Sequence, residues 1–228
     1  MISKKDIYIC VPVFNEEQVI FQVIKNIRKR GYEQIFIIND GSTDHSAKEA
    51  ERAGATVIQH LVNRGAGAAA QTAIVLARKR GFKYLLMMDG DGQHCPDDIP
   101  SLSTTLLSSR SDIVIGSRFL KDFSNMPNIR KGYNRIANQL TNLFCNNSYT
   151  DTQSGYRLLN RNAIETLNLT LDGFSFCSEM LILSERAGLE ITEAPVKTLY
   201  SDYSLQKGQN FLSGVSTAWD LIRKIIFR

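Results

Sequence analysis

Two carboxylates flank a single glycine in the segment Asp-Gly-Asp-Gly-Gln (residues 89–93), directly after the apolar run at residues 84–88. Ligands of an open α/β sheet bind at the carboxyl ends of its strands, so a tight turn there can aim both carboxylates at one hard cation. Mg²⁺ is held by one or two carboxylates together with waters and substrate phosphates. We expect Asp89 and Asp91 to bind such a cation, with Gln93 as a further oxygen ligand. A metal-free acidic turn is the alternative, because Asp and Gly are common turn residues.

Two earlier strand ends carry residues that suit a nucleotide. The loop Val-Pro-Val-Phe-Asn-Glu (11–16) closes the first apolar run, and Asn-Asp-Gly-Ser (39–42) closes the second. An acid at the second strand end holds the ribose in dinucleotide-binding folds, so we assign Asp40 to a ribose hydroxyl or a base edge. Glu16 has a plainer alternative, since an acid in the first turn of a helix stabilises the helix dipole. The loop at 63–67 looks like a phosphate loop, but it lacks GxGxxG and GK[ST], and we favour a closely packed turn.

The apolar runs supply the alternating strands and helices that these loops need. We predict strands at 7–13, 35–38, 56–59, 84–88, 113–115, 156–159 and 191–199. We predict helices at 16–31 (capped by Asn15), from the turn at 40–44 to 53, and at 67–80, 130–146, 177–187 and 208–228, with a polar loop at 119–129. This alternation predicts an α/β fold with a Rossmann-like, mostly parallel central sheet and helices on both faces. We expect one domain, residues 1–228, with a nucleotide half (1–116) and an acceptor half (117–228).

Composition argues against several other classes of protein. The chain has 228 residues, a formal net charge of +4 and a pI of about 8.9, which is too weakly basic to indicate a nucleic-acid partner. The four cysteines have no CxxC spacing, so we expect free thiols in a reducing compartment. No run approaches the roughly 18 apolar residues of a membrane span, and no signal peptide opens the chain. We therefore expect a cytoplasmic protein, or one that is peripheral on the cytoplasmic face of a membrane.

Residues 208–228 are predicted to form an amphipathic helix. Its apolar side chains recur at intervals of three and four, and basic residues follow near the end of the chain. Such a helix either packs on its own domain or lies on a membrane surface, and the sequence leaves both open. The apolar stripe comprises Phe211, Val215, Ala218, Trp219, Ile222 and Ile226, and the basic residues are Arg223, Lys224 and Arg228.

The ordered set of motifs resembles family 2 glycosyltransferases, and within them the branch that transfers mannose or glucose to dolichyl or polyprenyl phosphate. The resemblance covers about residues 7–160. It implies a GT-A fold and an inverting transfer of a sugar from GDP-mannose or a UDP-hexose to a polyprenyl or dolichyl phosphate. The motifs that carry it are 11–16, Asn-Asp-Gly-Ser-Thr-Asp (39–44), 63–67, 89–93, Gly-Ser-Arg (116–118) and Asp-Thr-Gln-Ser-Gly-Tyr-Arg (151–157).

The resemblance also implies roles for single residues. The nucleotide sugar would be bound by Pro12, Phe14, Glu16, Ile38, Asp40, Asp89, Gly90, Asp91 and Arg118. Mg²⁺ or Mn²⁺ would be bound by Asp89, Asp91 and Gln93. The acceptor phosphate would be bound by Arg118, Arg130 and Asn134. The branch usually has an Arg and then Gly-x-Ser-Lys near residues 200–210; this chain departs from that pattern, and Lys207 is the expected substitute. We expect the catalytic residues to be Asp91, Arg118 and Asp151.

The identity of the acceptor decides whether a base is needed. A lipid phosphate is already an anion and needs only cations around it, which Arg118, Arg130, Lys131, Arg135 and Arg157 would supply. A sugar hydroxyl must lose a proton, and then Asp151 is the first candidate base and Glu179 the second. A structural role for Asp151 stays open.

Two alternative functions stay open at this point. The first is transfer to a saccharide acceptor in cell-envelope or polysaccharide synthesis. A non-catalytic nucleotide-sugar-binding protein is another, but it should lack an intact pair of metal-binding carboxylates.

Overall fold

Seven strands form one sheet in a computed structural model that describes residues 2–120, 128–200 and 203, without the side chains of residues 128–130. The strands are β1 (Ile7–Val13), β2 (Ile35–Asn39), β3 (Thr56–Gln59), β4 (Tyr84–Met87), β5 (Ile113–Ser117), β6 (Arg157–Leu159) and β7 (Ile191–Pro195). The order across the sheet is β3-β2-β1-β4-β6-β5-β7. All neighbouring strands are parallel except that β6 runs antiparallel to both β4 and β5. The predicted mostly parallel sheet is therefore confirmed.

Helices cover both faces of this sheet, as predicted. The helices are α1 (Ile20–Lys29), α2 (Ser46–Arg52), α3 (Ala66–Arg80), α4 (Ile99–Ser109), α5 (Asn128–Asn142), α6 (Arg161–Thr166) and α7 (Phe176–Arg186). Alternate residues of β1 point to opposite faces of the sheet. Ile9 and Val11 pack in one apolar cluster with α1, α2 and α4, and Cys10 packs in another with α3, α6 and α7. The predicted C-terminal helix at 208–228 and Lys207 lie outside the described residues.

The loop between β1 and α1 differs from the prediction. Helix α1 begins at Ile20 and not at Glu16, and Asn15 does not cap it. Asn15 instead has a left-handed backbone (φ 54°), and its side-chain oxygen accepts a hydrogen bond from the Thr43 amide at 2.9 Å. The Glu16 amide donates to Ser46 Oγ at 2.7 Å. The prediction of an N-cap was wrong because the polar groups at 15–16 bind the loop after β2.

Several other boundaries also differ. Helices α4 and α6 were not predicted, α5 begins within the predicted polar loop, and β7 ends at Pro195 rather than at residue 199. Residues 99–109 contain six serines and threonines, which are weak helix formers, so local sequence preference does not indicate α4. Burial of Leu102 and Leu106 against the sheet stabilises it instead.

The glycine-rich loop at 63–67 packs against the segment at 171–173. The Gly67 amide donates to the Asp172 carbonyl at 2.8 Å. A Cβ atom at Gly67 would lie 1.9 Å from the Leu171 carbonyl oxygen, and one at Gly65 would lie 2.3 Å from the Asp172 carbonyl oxygen. The interpretation of this loop as a closely packed turn is confirmed, and it joins the N-terminal part of the chain to the segment before α7.

Replacing Gly67 with alanine should destabilise the fold, because the new methyl group meets backbone that cannot move aside freely. Overpacking of this kind costs about 1–3 kcal/mol. Among the described residues, no atom outside the adjoining backbone of α5 lies within 4 Å of a Cβ placed on Gly132, so Gly132→Ala is the matched control. That control should gain about 0.4–1 kcal/mol by reducing the entropy of the unfolded chain. Urea unfolding of the two variants would measure this contrast, and equal free energies of unfolding would contradict it.

Candidate active site

The turn with Asp89 and Asp91 lies at the carboxyl end of β4, between the end of β1 and the segment before β6. A Cβ at Gly90 would lie 3.1 Å from the Pro12 carbonyl oxygen. A Cβ at Gly155 would lie 2.6 Å from Asp89 Oδ1, so only glycine leaves room for this carboxylate. The Asp89 side chain nevertheless stays 51% exposed. The carboxylate is therefore held from behind by backbone and open toward solvent in front.

Asp91 is oriented by its neighbour Gln93. The Gln93 backbone amide donates to Asp91 Oδ1 at 2.9 Å, and the Gln93 side-chain amide donates to Asp91 Oδ2. Burial, and then the negative charge of Asp89, raises the pKa of Asp91. The two carboxylates thus destabilise each other's charged forms, which a cation between them would relieve. Gln93 turns its nitrogen toward Asp91, so in this arrangement it orients the carboxylate that is predicted to bind a metal, and its own role as an oxygen ligand stays a prediction.

His94 lies beneath the turn as a neutral side chain. It is 7% exposed and stacks on Tyr156 with ring centroids 4.6 Å apart. Its Nδ1 accepts a hydrogen bond from the Asp89 amide at 3.0 Å, which leaves the proton on Nε2. Burial lowers the pKa of His94 from 6.5 to about 4, and the charge of Asp91 offsets only part of this effect. His94 therefore fixes the turn at neutral pH without adding a charge.

The donor set fits a cation that brings other ligands with it. In the part of the chain that the structure describes, no group of three or more His, Cys, Asp or Glu side chains is arranged to hold a metal ion. Asp89 and Asp91 alone would not enclose a cation. Mg²⁺ commonly takes one or two carboxylates and completes its oxygen shell with water and substrate phosphates. The pair is thus suited to a cation that arrives with a diphosphate.

Arg118 and Asp151 form a bidentate ion pair at the end of β5. Arg118 Nε and one terminal nitrogen donate to the two Asp151 oxygens at 2.7 Å each, and the Arg118 backbone amide donates to Oδ2 at 3.0 Å. Burial would lower the pKa of Arg118, but the charge and hydrogen bonds of Asp151 outweigh this and raise it. Asp151 is 0% exposed, whereas the Arg118 side chain keeps 16%. A buried carboxylate with both oxygens paired does not fit the predicted base, and its evident effect is to orient Arg118.

Two further expectations for the acceptor side do not fit the structure. Arg157 is fully buried in β6, where it donates to the carbonyls of Ser154 and Thr152, so the prediction that it contacts an acceptor phosphate was wrong. Glu179 is 7% exposed and accepts hydrogen bonds from the amides of Thr170 and Leu171. The alternative role of Glu179 as a base was wrong too, since it fixes a loop.

The residues expected to bind the nucleoside lie at the ends of β1 and β2. Phe14 is 44% exposed and Ile38 is 0% exposed, so Ile38 can offer a ligand only its backbone. Asp40 accepts from the Gly65 amide at 2.6 Å and from the Arg64 amide at 3.0 Å, and contacts His60 Nδ1 at 2.7 Å. These contacts give Asp40 a structural function in fixing the 63–67 loop, beside which a ligand role stays a prediction.

The other predicted ligands lie in β1, in the loop after it and on α5, and their binding roles stay predictions. Pro12 is half-buried in β1, and Glu16 Oε2 accepts a hydrogen bond from the Tyr203 hydroxyl at 2.7 Å. Asn134 is half-buried on α5, and position 130 lies on the same helix. Residues that the sequence did not single out also reach the site region: Glu193 accepts from the amides of Thr150 and Asp151 at 3.0 Å. A long-range contact of this kind leaves no signal in the sequence.

Comparison with known proteins identifies several similar chains. A family model for glycosyl transferase family 2 matches residues 8–167. A UDP-N-acetylglucosamine–dolichyl-phosphate N-acetylglucosaminyltransferase of Methanococcus voltae is 32% identical over 241 residues, covering 96% of this chain and 96% of that protein. An undecaprenyl-phosphate mannosyltransferase of Micrococcus luteus is 26% identical over 197 residues, covering 82% and 80% respectively.

Solved structures show the same fold. Glucosyl-3-phosphoglycerate synthase from Mycobacterium tuberculosis, crystallised with Mn²⁺, UDP-glucose and phosphoglyceric acid, matches with a TM-score of 0.72 at 18% identity. The match covers 96% of this chain and 78% of that one. The predicted GT-A fold is confirmed. No helix within the described residues has the length and apolar character needed to cross a membrane.

Mn²⁺ with a nucleoside diphosphate should raise the Tm of the protein, and Asp91→Asn should abolish most of that rise. A ligand at 100 times its Kd stabilises by about 2.7 kcal/mol. Partial loss of hydration raises the pKa of Asp89, and burial raises the pKa of Asp91. Protons therefore compete with the cation, and the rise in Tm should shrink as the pH falls toward these raised pKa values.

Differential scanning fluorimetry with and without EDTA would measure this rise in Tm. Asp172→Asn, which changes an exposed acid on another loop, is the control. An equal rise in Asp91→Asn would contradict the metal assignment.

Proposed function

The chain belongs to glycosyl transferase family 2, and we propose that it is a metal-dependent, inverting enzyme that moves a sugar from a nucleoside diphosphate sugar to a polyprenyl or dolichyl phosphate. The observation that carries the choice of acceptor is the buried Arg118–Asp151 pair. The pair holds the Arg118 guanidinium in a fixed position at the edge of the site. It also buries Asp151, the first candidate base, with both carboxylate oxygens bound to Arg118. Relatives whose names specify dolichyl or undecaprenyl phosphate support the same choice.

Donor binding follows from the three strand ends. Asp89 and Asp91 would hold Mg²⁺ or Mn²⁺, which when bound neutralises the diphosphate leaving group. Gly90 keeps the turn against β1, so that the diphosphate would lie next to the loop at 11–16. Phe14, with Pro12, Glu16, the Ile38 backbone and Asp40, would bind the nucleoside. GDP-mannose and UDP-hexoses are the donors that this proposal includes.

The reaction balances without a general base. A phosphate oxygen of the acceptor attacks the anomeric carbon of the sugar, and the bond from that carbon to the diphosphate breaks, its electron pair leaving with the nucleoside diphosphate. The attacking oxygen carries no proton. Arg118 would bind the acceptor phosphate and offset its repulsion from the donor, because a guanidinium can bind two phosphate oxygens at once. Arg130, Asn134 and Lys207 are the further acceptor ligands in this proposal.

A lipid acceptor places the enzyme at a membrane surface. We propose that the protein works on the cytoplasmic face, where the polar head of the acceptor meets a cytoplasmic nucleotide sugar. The segment at 208–228 is the proposed membrane contact, since its sequence combines an apolar stripe with basic residues.

Release of nucleoside diphosphate should depend on the phosphate of the lipid. We would incubate the protein and Mn²⁺ with GDP-mannose, UDP-glucose or UDP-N-acetylglucosamine, together with polyprenyl phosphate, the matching polyprenol or a soluble saccharide. One donor should give release and a glycolipid only with polyprenyl phosphate. Arg118→Ala should lower kcat/KM about 10²-fold, as loss of one charge-stabilising donor does, while Arg80→Ala at the exposed end of α3 should not. Equal release with the saccharide, and no glycolipid, would exclude the lipid acceptor.

A further inference from the structure

Helix α5 binds the segment at 149–152 through two asparagines one turn apart. Asn138 Nδ2 donates to the Thr150 carbonyl at 2.6 Å, and Asn138 Oδ1 accepts from the Thr152 amide at 2.9 Å. Asn142 makes a similar pair of bonds with the backbone of Tyr149, at 2.9 and 3.1 Å. Residues four apart share a helix face, so both amides project toward this segment.

The bonds of Asn138 bracket Asp151. One is made to the residue before Asp151 and the other to the residue after it, and Asn138 Oδ1 also accepts from Thr152 Oγ1 at 2.8 Å. Asn138 is 8% exposed and Thr152 is 0% exposed. Loss of this amide would leave the buried Thr152 amide without its acceptor, which costs more than the net value of a hydrogen bond. The conformation of residues 150–152 therefore depends on α5.

Glu193 in β7 holds the same segment from the sheet. It accepts from the amides of Thr150 and Asp151 and from the Thr150 hydroxyl. The two sets of bonds are complementary: Glu193 anchors the segment to the sheet, and Asn138 anchors it to a helix. Asp151 lies between the two anchors, and its carboxylate holds Arg118.

We propose that Asn138 is a positioning residue, which sets the Asp151 carboxylate and through it the reach of the Arg118 guanidinium. This inference rests on the proposed function of Arg118. Position 130 and Asn134, the other proposed acceptor ligands, precede Asn138 on α5 at intervals of four, so they belong to the same face of the helix. The acceptor phosphate would then meet one rigid unit, in which α5 and Arg118 keep a fixed spacing.

Nuclear magnetic resonance of the arginine side chains gives a test that needs no substrate. The Arg118 Nε–H signal, assigned by its loss in Arg118→Lys, should exchange slowly in the parent because Asp151 binds it. Asn138→Ala should shift this signal and speed its exchange, while the Arg78 signal should stay unchanged, since Arg78 donates to the distant carbonyls of Ile164 and Leu167. Asn138→Asp provides a second variant of the same size that can accept from Thr152 but cannot donate to Thr150. An Arg118 signal that is unchanged in these variants would overturn the proposal.

A double-mutant cycle tests the same coupling in catalysis. Asn138→Ala should lower kcat/KM for polyprenyl phosphate by roughly 10- to 100-fold, the range expected when a reacting group is misplaced by about 1 Å. In an Arg118→Ala background the same change should cost less than about 2-fold, because interacting residues are not additive. Gln139→Ala, an exposed neighbour on α5, is the matched control.

Fully additive losses of kcat/KM in the double variant would also overturn the proposal. If the parent shows no release that depends on polyprenyl phosphate, the proposed function fails, and the Arg118 signal still decides the role of Asn138.

Discussion

The insertion of β6, antiparallel, between β4 and β5 is the constraint on which the site depends. Met87 and Ile115 both pair with Arg157 across this strand. Continuing the antiparallel register by two residues sets Asp89 opposite Gly155, where a Cβ would meet the carboxylate at 2.6 Å. The same segment then delivers Asp151 to Arg118 at the end of β5. One short strand of three residues therefore connects the proposed donor and acceptor sides of the site.

The electrostatics of the site follow from this arrangement. Asp89 and Asp151 lie near two guanidinium groups, of which Arg118 reaches solvent and Arg157 does not. Burial lowers the pKa of Arg157, and the negative charges of Asp151 and Asp89 act in the opposite direction. One terminal nitrogen of Arg157 is buried with no hydrogen-bond partner among the residues that the structure describes. The other two nitrogens hold the carbonyls at 152 and 154, and so Arg157 stabilises the turn that carries Asp151 and Gly155.

The sequence predicted the parts of this site that depend on short-range pattern. Apolar runs located all seven strands, and the carboxylates directly after β4 were recognised because parallel strands end at one edge of a sheet. Asn15 was misassigned as a cap because a polar residue before a helix has the same local signal when it binds a neighbouring loop. Arg157 was misjudged, and the role of Asp151 was left open, for a related reason. Burial and ion pairing are set by contacts across the sheet, and a motif shows the residue types without showing which side chains face inward.

We propose that the Asp-Gly-Asp turn, held between β1 and Gly155, binds a divalent cation together with the donor diphosphate. A crystal structure of the protein grown with Mn²⁺ and the nucleoside diphosphate of its donor would locate the cation through anomalous scattering from manganese. We predict one strong peak at about 2.0–2.2 Å from an oxygen of Asp91, with Asp89 close by and diphosphate oxygens completing the shell, as hard octahedral cations require. A nucleotide bound with no manganese at this turn, or manganese bound elsewhere in the chain, would contradict it.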